Sequence, residues 1–74
     1  MNSKANSIIK HYEAKGKVTI KLDRASGFNV ITVTKGSRGN NIVGTIPGGK
    51  LVNASMPDIR AMLVENSIYI NAWS

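Results

Sequence analysis

Hydrophobic residues recur along this chain with two periods, and the points where the period switches divide it into elements. Ala5, Ile8, Ile9 and Tyr12 fall at helical spacing, which predicts a helix over Ser3–Lys15 with Ser3 as its cap and Gly16 as its stop. Lys10 and Lys15 suit the negative end of its dipole. Residues 17–23 then alternate strictly. Val18, Ile20 and Leu22 point one way, and Lys17, Thr19, Lys21 and Asp23 the other, as in a half-buried strand. Arg24, Ala25, Ser26 and Gly27 supply a turn, with Gly27 where a positive φ is needed. Residues 28–34 read as a second strand. It is apolar on both faces, Val30 on one and Ile31 and Val33 on the other, which predicts a central position in a sheet.

Lys35-Gly36-Ser37-Arg38-Gly39-Asn40-Asn41 reads as a flexible basic loop. A third strand covers residues 42–46, with Gly44 marking a bulge or a close backbone approach. Pro47-Gly48-Gly49-Lys50 makes a tight turn into a short fourth strand, Leu51–Ala54. Ser55, Pro57 and Asp58 announce a second helix: Ser55 caps, Asp58 completes a capping-box-like pair, and Pro57 sits in the first turn, where its missing N–H is not needed. Ile59, Met62 and Leu63 form the buried stripe of that helix, which ends near Asn66. Residues 67–73 complete the chain as a strand with Ile68, Ile70 and Ala72 on one side and Tyr69, Asn71 and Trp73 on the other. The order α-β-β-β-(β)-α-β predicts an α+β fold: an antiparallel sheet of three to five strands with two helices packed on one face. Residues 1–74 read as one small domain without a linker.

Size sharpens this picture. A domain of 74 residues buries only about 60% of its unfolded surface. The chain has no Cys and one His, so disulfides and the usual structural metal sites are closed to it. Its stability must come from the apolar core, with oligomerisation as a further source. No apolar run approaches the roughly 20 residues of a membrane span. The leading Met1-Asn2-Ser3-Lys4-Ala5-Asn6-Ser7 lacks the apolar stretch of a signal peptide, so a cytoplasmic location is expected.

Charge changes the picture most. Ten Lys and Arg stand against four Asp and Glu, a formal net charge of +6. The first fifty residues hold Lys4, Lys10, Lys15, Lys17, Lys21, Arg24, Lys35, Arg38 and Lys50 against Glu13 and Asp23 alone. The remainder holds Arg60 against Asp58 and Glu65. Such a concentrated positive field attracts polyanions, of which nucleic acid is the commonest inside cells.

The alternation places part of that charge. With Val18, Ile20 and Leu22 under the helices, Lys17, Thr19 and Lys21 lie on the open face of the sheet. With Ile68, Ile70 and Ala72 inward, Tyr69, Asn71 and Trp73 are expected to share it. Ammonium groups beside aromatic rings suit nucleic acid, DNA or RNA, because cations neutralise phosphates and rings stack on unpaired bases. The amides of Gly36 to Asn41 and the Arg38 guanidinium are a candidate phosphate grip, against an ordinary hairpin connection. Gly44, Gly49 and Lys50 have the spacing of a phosphate-binding P-loop, but Leu51 stands where Ser or Thr would hold magnesium, and a tight turn is the better reading. His11 has no second histidine, cysteine or acid pair beside it, and the four acids are scattered. No nucleophile, acid–base pair, cofactor motif or metal set is visible, so a non-enzymatic protein is expected.

The helix, three strands, helix order resembles the double-stranded-RNA-binding domain. That family carries a lysine cluster at the start of its last helix, and the matching Ser55-Met56-Pro57-Asp58-Ile59-Arg60 holds one cation. Gly36-Ser37 and Ile46-Pro47 look similar to HicA-type RNA-cleaving toxins, whose active histidine follows Gly-Ser. Arg38 stands there in this chain, so the activity is not carried over and no family is assigned.

The leading expectation is therefore a small basic nucleic-acid-binding protein. Lys17, Lys21, Arg24, Lys35, Arg38 and Lys50 would contact phosphates, and Tyr69 and Trp73 would add stacking. The alternative is a protein-interaction module, of the kind found among phage and plasmid accessory proteins that block a host enzyme, engaging an acidic surface with aromatic and Arg anchors. A third reading is capture of a small phosphorylated ligand by the two Gly-rich turns, which requires them to converge in space. An exposed final strand is also a template for pairing with a second copy.

Overall fold

The computed structural model describes residues 3–74; Met1 and Asn2, part of the leading segment read above, lie outside the described residues. The chain runs α1 (Ser3–Lys15), β1 (Lys17–Leu22), β2 (Val30–Lys35), β3 (Asn41–Ile46), β4 (Leu51–Ala54), α2 (Met56–Glu65) and β5 (Ile70–Trp73), with single 3-10 turns at Arg24–Ser26 and Ser67–Tyr69. All strand pairings are antiparallel and build one five-stranded sheet in the order β4-β3-β2-β1-β5. The doubly apolar β2 is its central strand, as its sequence predicts. Among the described residues, no helix is long and apolar enough to cross a membrane.

One core holds both helices to the same face. Ala5, Ile8, Ile9 and Tyr12 of α1 and Ile59 and Leu63 of α2 pack with Val18, Ile20 and Leu22 of β1, Ile31 and Val33 of β2, Val43 of β3 and Ile70 of β5. The register explains the selection: Val18 lies opposite Val33 and Ile20 opposite Ile31, so side chains on one face of the pleat collect under the helices. Ser55 caps α2 by accepting the Asp58 amide at 3.3 Å, and Asp58 adds an anion to the positive end of the helix. Ser3, expected as the cap of α1, is itself helical.

Gly27 closes the turn after β1 at φ 93°, donating its amide to Arg24. The expected second strand begins two residues late: Ser26 Oγ bonds both the amide and the carbonyl of Phe28, and Asn29 enters the sheet irregularly, accepting the Leu22 amide at 2.9 Å and donating to Ile46 O at 2.7 Å. Residues 36–40 form no open loop, and Asn41 already belongs to β3. The Gly36 amide donates to Asn40 O at 2.7 Å, the Gly39 amide to Gly36 O at 3.0 Å, and Gly39 sits at φ 80°, so the segment is a closed hairpin turn. Gly44 interrupts no pairing. A methyl group there would meet Leu51 Cδ2 at 2.8 Å, so the glycine serves a close approach, with the Leu51 side chain lying over it.

Tyr12 ties α1 to the sheet. It is almost wholly buried, its hydroxyl donates to Asn41 Oδ1 at 2.7 Å, and the Lys35 ammonium stands 5.4 Å from its ring centroid. Burial pushes its phenol above the ordinary value of 10.0. The neutral form is thus favoured by folding, and Tyr12 stabilises the protein below pH 10 but loses that contribution as pH rises through the raised value. Tyr12→Phe is expected to cost about 0.5–1.5 kcal/mol at neutral pH through the lost hydrogen bond. The gap from wild type should then narrow above pH 10, as urea denaturation at neutral and alkaline pH would show.

Candidate nucleic-acid interface

The face of the sheet away from the helices is built by register. Lys17, Thr19 and Lys21 of β1 lie opposite Thr34, Thr32 and Val30 of β2. Those in turn face Ile42, Gly44 and Ile46 of β3, and Asn53 and Leu51 of β4 extend two of the rows. Opposed residues in an antiparallel pair share a face, so these positions form one surface. Its β1 side is cationic and hydroxylated. Its β3 and β4 side is apolar, with Ile46 and Leu51 exposed around a dimple over Gly44. Lys17 and Lys21 are four residues apart, about 13 Å along the strand.

One acidic side chain borders this face: Asp23, two residues beyond Lys21, where the backbone is still extended and the Asp23 amide donates to Tyr69 O at 2.8 Å. Glu13 is exposed on α1, Asp23 accepts the Ala25 amide at 3.0 Å in the turn after β1, and Asp58 and Glu65 lie on α2. Among the described residues no cation forms an ion pair, so the positive field is not cancelled internally. No group of three metal-ligating side chains forms among them either.

The expected phosphate-binding residues separate into groups. Lys17 and Lys21 lie together on the open face. Arg38 stands exposed at the tip of the β2–β3 hairpin, beyond the Lys17 end of the sheet, while Arg24 and Lys50 stand exposed in the turns at the Lys21 end. Lys35 follows Ile31 and Val33 onto the helix side, where its ammonium stands over the Tyr12 ring. The amides of Gly36 and Gly39 are spent within the hairpin, which leaves that turn weaker as a phosphate grip than expected. The two Gly-rich turns do not converge. They cap opposite ends of β3, about 20 Å apart at the rise of an extended strand, which removes the basis for joint capture of a small phosphorylated ligand.

Tyr69 and Trp73 correct the aromatic half of the expectation. Residues 67–69 form a 3-10 turn instead of strand, leaving Ile68 81% exposed and Tyr69 packed against the core. In β5, Ile70 opposes Leu22, but the register then shifts, and Ala72 opposes Lys21 while Trp73 opposes Ile20. Asn71 is the extra residue, and one extra residue reverses the face of all that follow. Ala72, expected inside, therefore shares the open face, and Trp73 lies on the helix side against the core. The rings do not stand beside Lys17 and Lys21.

Thr32 and Thr34 are the additions that charge counting missed. Their hydroxyls neighbour Thr19 and Lys17 across the β1–β2 pair, and the polar positions of the second strand were the available signal. Comparison with protein-family models, with curated proteins and with solved structures gave no match, so the functional reading rests on this surface.

Proposed function

We propose that this protein is a non-enzymatic nucleic-acid-binding domain that holds the phosphate backbone on the open face of its sheet. The observation that carries the reading is the placement of Lys17 and Lys21 together on the open face, in a chain of net charge +6. Thr19 and Thr32 add hydroxyls in the row between the ammonium groups, and Thr34 adds one opposite Lys17. Arg38 at one end and Arg24 and Lys50 at the other extend the positive field beyond the sheet. Contacts of this kind fix the strand without reading its sequence. With the rings turned to the core, affinity comes from phosphates.

The test is a titration of labelled single-stranded DNA, single-stranded RNA and duplex, followed by anisotropy at two salt concentrations, with Trp73 emission read in parallel. Binding that weakens by orders of magnitude from low to moderate salt is expected, with little change in Trp73 emission. Failure to bind any of the three at low salt would overturn the proposal. The exposed Ile46 and Leu51 on the same face favour a second reading, an acidic protein partner packed on the apolar β3–β4 side with its acids toward Lys17 and Lys21. Such a complex would lose far less affinity to salt.

A further inference from the structure

The two edges of the sheet are unequally protected. At the β5 edge, Lys4 Nζ donates to Ser67 O at 2.9 Å and to Ile70 O at 3.0 Å, and the register with β1 is broken by the extra residue. An ammonium group on edge carbonyls and a bulge are both devices that stop a further strand from adding. The β4 edge has neither. Leu51–Ala54 contains no charged residue and no proline, pairs regularly with β3, and leaves Leu51 72% and Val52 53% exposed.

We propose that β4 pairs antiparallel with β4 of a second copy of this chain, and that β4, not the final strand, is the dimer edge. The hydrogen-bond alternation supports it. The Gly36–Asn40 bond opens the β2–β3 ladder, so Ile42 and Gly44 turn their backbone groups to β2 and Val43 turns its own to β4. Val52, opposite Val43, faces inward, and Leu51 and Asn53 present their amides and carbonyls outward. A two-fold axis normal to the sheet at Val52 sets Leu51 of each copy against Asn53 of the other, so the outward groups of each strand meet complementary ones. It also sets Val52 against Val52 as a non-hydrogen-bonded pair, the closest kind of cross-strand contact.

This register satisfies the faces as well. Residues 51 and 53 share the open face and Val52 the helix face, so both copies keep their helices on one side. Charge agrees: Lys50 is set against Ala54 of the second copy, two residues before the helix whose first turn carries Asp58, and no cation faces another. A four-residue contact buries less than the roughly 1,200 Å² of a stable complex, so the dimer should form and dissociate with concentration.

Sedimentation velocity from micromolar to millimolar protein tests this, with Val52→Lys and Val52→Glu made separately. Position 52 is exposed, so both variants should keep the wild-type circular dichroism. Wild type is expected to shift from monomer to dimer. Each variant alone should remain monomeric, because the substitution places like charges directly opposite one another, and an equimolar mixture of the two should regain the dimer. Amide exchange at Leu51 and Asn53 should slow with concentration in wild type. A wild type that stays monomeric at millimolar concentration, a Val52→Lys variant that still dimerises, or a mixture that fails to pair would each overturn the proposal.

Discussion

Replacing Lys17 and Lys21 together by glutamine is expected to weaken nucleic-acid binding and to flatten its dependence on salt. Each phosphate neutralised releases condensed counterions, so the logarithm of affinity falls with the logarithm of salt by roughly 0.7 per contact for single strands and 0.9 for duplex. Losing two contacts should make the slope shallower by about 1.4 or 1.8 respectively. The loss of affinity should be largest at low salt, where counterion release contributes most. Both side chains are exposed and share no ion pair, so the fold should be unaffected. The matching control is Lys10→Gln with Arg60→Gln, which removes the same formal charge from the helices on the other side of the sheet. That pair should leave the slope nearly unchanged. An equal effect from both pairs would mean that net charge alone attracts the polyanion and that the open face has no special part.

Ile20→Ala is expected to unfold a large fraction of the protein at room temperature. Ile20 is fully buried, opposite Ile31 on one side and Trp73 on the other, beneath the helices. Truncating such a side chain removes its transfer free energy and leaves a cavity, together about 2–5 kcal/mol. A domain of this size without disulfide or metal rarely draws more than about 3–5 kcal/mol from its core. The substitution therefore removes most of the available stability. Loss of far-ultraviolet circular dichroism and a red shift of Trp73 emission would report it, since that ring packs on the same core. Thr19→Ala, one residue away on the opposite face, should change stability by no more than about 0.5 kcal/mol. The contrast between neighbours in one strand would establish directly which face the helices cover.

The candidate surface was half legible in the sequence. Lys17 and Lys21 were found because the alternation from Lys17 to Leu22 is strict, and β1 holds its registers with β2 without a break. Tyr69 and Trp73 were misplaced because the alternation from Ser67 onward looks just as regular. There the chain makes a 3-10 turn and then inserts Asn71 against β1. Nothing in the local residue pattern marks that insertion, because a bulge is a property of the pair of strands. The β4 edge was equally hidden, since a strand becomes an edge only by what fails to pair with it.

What the sequence determined by itself is local: the helical spacing of Ala5, Ile8, Ile9 and Tyr12, the two-residue period of β1, the Ser55 cap, and the turns at Gly27 and Gly39. These depend on steric and hydrogen-bonding preferences that act over a few residues. That Lys35 lies against Tyr12, that Trp73 joins the core, and that Lys4 closes the β5 edge while β4 stays open were decided only by tertiary structure. Each is a relation between segments distant in the chain, set by strand order and register, and a shift of one residue in register reverses the face on which a side chain lies.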